Sequence, residues 1–257
     1  MSIGIVGLLL LALAPASLLW VGAPGGTPAA LAFLANLVGL SLVLVGVGFR
    51  ITGNGLGFAL SSRNTYSLSR LQMGGWTVVV FGTLATMAEV NLLLFDKGAD
   101  SFQLEIPGAV LAVTGIAGLT TALTPAILSL KATQPQTTEA KEAAKTSVAE
   151  ADGLKPDDVT TKGSVQGKAR PEFARLRDLI SGDEVANAGT VDISKVQNLL
   201  LTGLLLFIYA FMVLKALSVA TTAHTTLPDF SEQVAQLLGI SHAAYLGYKA
   251  APKPGRG

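Results

Sequence analysis

Glu89 and Lys215 each stand alone as a charge inside a long apolar run, and from them chemistry is most readily argued. Glu89 lies 17 residues after Gln72, and Lys215 lies 18 after Gln197. At the rise of an α-helix both side chains sit about 25–27 Å from the residues that open their segments. Opposite charges at nearly equal depth predict an ion pair between two helices near the outer edge of a bilayer. An unpaired charge within hydrocarbon is costly, and ionisable groups there often serve function. The competing reading leaves them separate, with Lys215 snorkelling outward and Glu89 facing external water.

A second set of polar residues opens the same two segments. Ser69-Arg70-Leu71-Gln72 and Ser194-Lys195-Val196-Gln197 share the pattern Ser-basic-x-Gln. Arg70 and Lys195 suit contact with lipid phosphate at a membrane edge, and Gln72 and Gln197 suit hydrogen bonds between neighbouring helices. Asp192, just ahead of Ile193, is a candidate N-cap.

Other chemistry is excluded or weak. The chain has no cysteine, which removes disulfides, thiolate catalysis and Cys-ligated metals. His224 and His242 are too few and too far apart for a metal cluster. Gly53-Asn54-Gly55-Leu56-Gly57 lacks the Lys-Ser/Thr of a phosphate loop, and Asp152, Asp157 and Asp158 lack calcium-loop spacing. No Ser-His-Asp or His-Glu-x-x-His arrangement occurs. The expectation is a non-enzymatic protein with no catalytic residue, no metal and no cofactor.

The elements that carry these residues are apolar. Half the chain is hydrophobic, 14% is charged and the mean hydropathy is +0.54. Six windows read as membrane helices: about 3–22, 29–48, 74–95, 107–130, 198–220 and 234–250. The first is either a retained helix or a cleaved signal, and the lack of a basic residue ahead of it favours retention. The Gly/Pro stretch 22–28 is the turn of a tight hairpin. From Gln72 to Gly115 is 43 positions and from Gln197 to Gly239 is 42, so a two-helix hairpin is read as duplicated, in parallel orientation. The fold class is therefore all-α, a polytopic bundle of about six spans. Gly115, Gly118 and Ala122, with Gly239, Ala243 and Gly247, predict close helix packing.

Charge gives orientation. Arg50, Arg63 and Arg70 fall in one connection without an acid, whereas 96–105 is mainly acidic. The positive-inside rule places the first in the cytoplasm, and with it the tail bearing Lys249, Lys253 and Arg256. The organisation read from this is an N-terminal hairpin over 1–50, a first repeat over 51–130, a cytoplasmic loop over 131–192, and a second repeat with basic tail over 193–257. The loop holds most of the charged residues. Its first part lacks aromatic residues and reads as disordered, with a transient helix near 139–151. Its second part places Phe173, Leu176, Leu179 and Ile180 on one face of an expected amphipathic helix over 171–180, a candidate partner-binding segment.

Several segments resemble a group of uncharacterised bacterial multi-pass membrane proteins. Ser67, Arg70, Gln72, Met73, Trp76 and Thr77 match its Gln-Met-x-x-Trp-Thr helix opening. Gly239-Ile240-Ser241 and Tyr245-Leu246-Gly247-Tyr248-Lys249 match its closing motifs. Asn198 and Leu201 depart from that opening in the second repeat. The resemblance implies a membrane fold and brings no catalytic residues.

The expected function is a bacterial inner-membrane anchor or assembly subunit, C-terminus cytoplasmic, surrounded by lipid and holding a cytoplasmic or membrane protein partner. The alternative is a homo-oligomeric channel or transporter. A net charge of +1 argues against nucleic acid.

Overall fold

The computed structural model describes residues 3–19 and 26–253. Most of the expected turn 22–28 and the end of the tail with Arg256 lie outside them. Long apolar runs without a breaker satisfy their backbone internally as helices. Among the described residues four helices are long and apolar enough to cross a membrane: α3 (Thr27–Thr52), α4 (Leu68–Leu93), α5 (Gly108–Lys131) and α7 (Ile193–Ser218). The chain is all-α in class, with one two-stranded hairpin among the described residues, and these four helices are compatible with a membrane protein.

The first expected span is instead broken at Pro15 into α1 (Ile3–Leu13) and α2 (Ala16–Leu19). At about 16 Å, α1 alone is shorter than a hydrocarbon core. It packs antiparallel on α3 through glycine. A Cβ on Gly46 would stand 2.4 Å from the Gly4 nitrogen, and one on Gly7 would stand 2.6 Å from the Gly39 oxygen. The glycines expected to pack tightly do not: Gly115 and Gly247 face open space, Gly118 meets only Met73, and Gly239 is in ordinary contact with Ile116. Between helices, close backbone approach through glycine is thus found in the α1–α3 seam.

α8 (Glu232–Ala250) carries several polar residues and is not among the four apolar helices. An extended segment, 223–231, precedes it. At its start Asn91 of α4 donates to the His224 carbonyl at 2.7 Å. At its end the Phe230 ring packs edge-on against Trp76, 6.1 Å between centroids. Asn91 and Trp76 are about 22 Å apart along α4, so this segment descends into the bundle. Leu227 and Phe230 are buried there. Non-helical backbone is tolerated at such depth only when enclosed by protein. The core of the bundle gathers around Trp76, Tyr209 and Phe230 with Val80, Met87, Val113 and Leu238. α4 lies beside α5 and α7, and α8 lies beside the same two.

The segment between α5 and α7 is folded, not disordered. Among the described residues it contains α6 (Thr138–Asp152), an antiparallel hairpin of β1 (Val159–Lys162) and β2 (Val165–Lys168) in the register Val159↔Lys168, and four short 3-10 turns. α6 is capped by the Thr137 hydroxyl at its start and by left-handed Gly153 at its end. Ala144, Val148, Ala149, Val159, Val185 and Ala188 form its small core. These residues are small and scattered, so composition alone conceals that they can meet. This unit, the cap, sits on one end of the bundle.

Candidate functional site

The junction between cap and bundle is built from charged residues that the sequence disperses over about 190 positions. Gly182 to Glu184 forms its centre. Asp183 accepts from Arg63 at 2.8 Å, pairs with Lys195 at 3.1 Å, and accepts from Lys249. Glu184 pairs with Lys131 at 2.7 Å and with Lys253 at 3.0 Å. Beside it, buried Lys168 bridges Asp152 and Asp178 at 2.7 and 2.8 Å. Lys131 ends α5, Lys195 opens α7, and Lys249 and Lys253 end α8 and begin the tail. Arg63 belongs to the α3–α4 connection. One acidic pair therefore ties three helix ends and a connection to the cap.

Local bonds explain how the acids are held. Arg63 also donates to the Gln166 carbonyl at 2.6 Å, and Lys195 to the carbonyls of Asp178 and Ser181 at 3.0 and 2.6 Å. Asp192 caps α7 by accepting from the Ser194 and Lys195 amides, the role expected of it. Burial would raise the Asp183 carboxyl, but Lys195, Lys249 and Arg63 together outweigh it and hold the group well below the usual carboxylate range.

The expected amphipathic helix over 171–180 is not formed. Two 3-10 turns, Pro171–Phe173 and Leu176–Leu179, are separated by extended Ala174 and Arg175. The cause is Asp178, which accepts from the Arg175 amide, the Tyr66 amide and Lys168. These bonds pin the chain where a helix would continue. Leu179 is buried in a cluster with Ala59, Leu60 and Tyr66, and Ile180 packs on it half-buried. Leu176 is 64% exposed and Phe173 is half-buried under Arg170. Of the candidate partner-binding residues, Leu176 is therefore accessible and Phe173 partly so, whereas Leu179 and Ile180 pack in the Tyr66 cluster.

The expected Glu89–Lys215 pair is absent: among the described residues neither group enters an ion pair. Buried Asn36 of α3 donates to Glu89 at 3.0 Å and to Thr86 at 2.9 Å, while Lys215 is exposed on α7. Equal depth placed the two charges at one level, but their helix faces diverge.

The helix-entry residues diverge in the same way. Gln72 bonds across to Asn198 at 2.6 Å and to Thr202 at 2.9 Å, whereas Gln197 is exposed. Arg70 donates to the Leu60 carbonyl at 2.6 Å, whereas Lys195 is buried among acids and carbonyls. The Ser-basic-x-Gln openings therefore reach different environments. Charges from the tail and the α3–α4 connection converge on Asp183 and Glu184, and only a contact between distant segments reveals that centre.

No protein-family model, curated protein or solved structure matches this chain.

Proposed function

We propose that this chain is a multi-pass bacterial inner-membrane protein that acts as a non-enzymatic anchor or assembly subunit, with the cap on the cytoplasmic side as its partner-binding platform. The observation that carries this reading is the buried ionic centre of Asp183 and Glu184. A cap tied to three helix ends is held at a fixed height and orientation, as a platform for assembly requires. In this reading the α7–α8 hairpin is a duplicate of α4–α5. Six crossings result when α1–α2 is retained and the extended segment 223–231 completes the path of α8.

The accessible apolar residues Leu176 and Phe173 are the proposed contact. Purification of tagged protein in mild detergent tests it. A stoichiometric partner retained by the wild type and lost by Leu176→Glu supports the anchor reading. A partner bound equally by both moves the contact elsewhere, and no partner at all defeats the reading.

A second reading, an oligomeric channel or transporter, is favoured by one observation. The polar group of Asn36, Thr86 and Glu89 lies within apolar helices, and ionisable residues there often mark ion paths. Flux through purified protein in liposomes that stops on Glu89→Ala supports it. Flux absent from the wild type rejects it.

A further inference from the structure

We infer that the cavity between the cap and the cap-side ends of α4 and α5 is a binding site for a phosphate-bearing anion. The inference rests on residues other than the proposed partner contact, and it stands whether or not a protein partner exists.

The cavity has a volume of about 370 Å³, within the range of small-molecule sites. One wall is the first turn of α4 and the last two turns of α5. The opposite wall is the β1–β2 hairpin, and the turn at 61–63 closes one side. Four cations line it, Arg63, Arg70, Lys162 and Lys168, with hydroxyls that include Ser62 and Ser129. Among the described residues no carboxylate does.

The four cations are not equivalent. Lys168 is saturated by Asp152 and Asp178, and Arg63 is held by Asp183 and the Gln166 carbonyl. These two shape the wall. Among the described residues Arg70 and Lys162 belong to no ion pair. Arg70 spends one bond on the Leu60 carbonyl, which leaves further guanidinium donors and a full charge. Lys162 is exposed at the hairpin turn. A guanidinium fork, an exposed ammonium and serine hydroxyls together match phosphate oxygens. A neutral ligand would leave both charges uncompensated.

Position narrows the source. In the membrane orientation proposed above, the wall residues of α4 and α5, where apolar helix gives way to the polar cap, stand at the level of lipid headgroups. Cations at such a level attract anionic lipid. The shared chemistry is a phosphate mono- or diester, carried either by a lipid headgroup or by a soluble compound.

Equilibrium binding to the full chain in detergent separates these sources. The probes are dioctanoyl phosphatidylglycerol, dioctanoyl phosphatidylcholine and glycerol 3-phosphate. Saturable binding of the phosphatidylglycerol, weakened at least tenfold by Lys162→Glu and by Arg70→Gln but not by Lys145→Glu on α6, supports a lipid phosphate site. Glycerol 3-phosphate binding with the same mutational pattern supports a soluble phosphate. Lys162 is exposed and outside all three hydrophobic clusters, so its substitution leaves folding intact even if Arg70→Gln does not. Equal binding of phosphatidylcholine, indifference to Lys162→Glu, or no saturable binding of any probe overturns the proposal.

Discussion

Lys131, the last residue of α5, meets Glu184 of the cap at 2.7 Å, and each side chain is only 3% exposed. The pair joins a helix that is apolar over most of its length to a loop 53 residues later. A buried ion pair adds little over a well-packed apolar substitute, but removing one partner of such a pair costs up to about 3–5 kcal/mol, and without Lys131 the buried Glu184 would keep only Lys253 at 3.0 Å. Lys131→Met is therefore expected to lower the unfolding midpoint sharply in a detergent-solubilised denaturation series. Lys145→Met, which breaks the solvent-exposed Lys145–Glu142 pair, should leave the midpoint nearly unchanged. Equal effects of the two substitutions would show that the junction does not hold the cap.

The ionic centre also sets a pH dependence. The Asp183 carboxyl is held well below its ordinary value of 3.8 in the folded chain. The unfolded state therefore takes up a proton first as pH falls. The contribution of Asp183 to stability is fully present above about pH 3.8 and is lost as pH falls further, through the folded value. Tryptic release of the cap after brief acid exposure should be absent at pH 5 and appear only below pH 4. Asp183→Asn should release it at neutral pH as well.

Gln72 is expected to couple to Asn198 across the α4–α7 contact. Side-chain hydrogen bonds between membrane helices are worth about 0.6–2 kcal/mol. A double-mutant cycle with Gln72→Leu and Asn198→Leu should return a coupling of that order from thermal unfolding. The same cycle with Gln72 and Gln197 should return none, because Gln197 is exposed.

Two glycine substitutions should have opposite outcomes. Gly46→Ala places a methyl 2.4 Å from the Gly4 backbone and should lower the thermal midpoint by separating α1 from α3. Gly115→Ala meets nothing within 4 Å and should hold or raise the midpoint, since alanine is favoured over glycine in a helix by about 1 kcal/mol.

Hydrogen exchange distinguishes a folded cap from the loose segment its composition suggests. The Gln166 amide donates to the Asp183 carbonyl at 3.0 Å and the Val185 amide to the Ser164 carbonyl at 2.9 Å. Both should exchange slowly in the native protein. Exchange at the rate of a free peptide throughout 138–192 would mean that the cap does not form.

By itself the sequence determined the apolar helices, because a long uncharged run has no other way to satisfy its backbone away from water. It also determined the Asp192 cap, whose bonds are local, and the placement of Arg63, Lys249 and Lys253 at one end. Tertiary structure decided the rest. Spacing along a helix gave Glu89 and Lys215 equal depth, but depth says nothing about which faces meet, and Asn36 took the carboxylate. The match between Gln72 and Gln197 likewise ended one residue away, at Asn198, since a shift of one position turns a helix face by about 100°. The cap was hidden for a different reason. Its core is made of alanines and valines too sparse to form a periodic signal, and its charges find partners only when the ends of α5, α7 and α8 converge on Asp183 and Glu184.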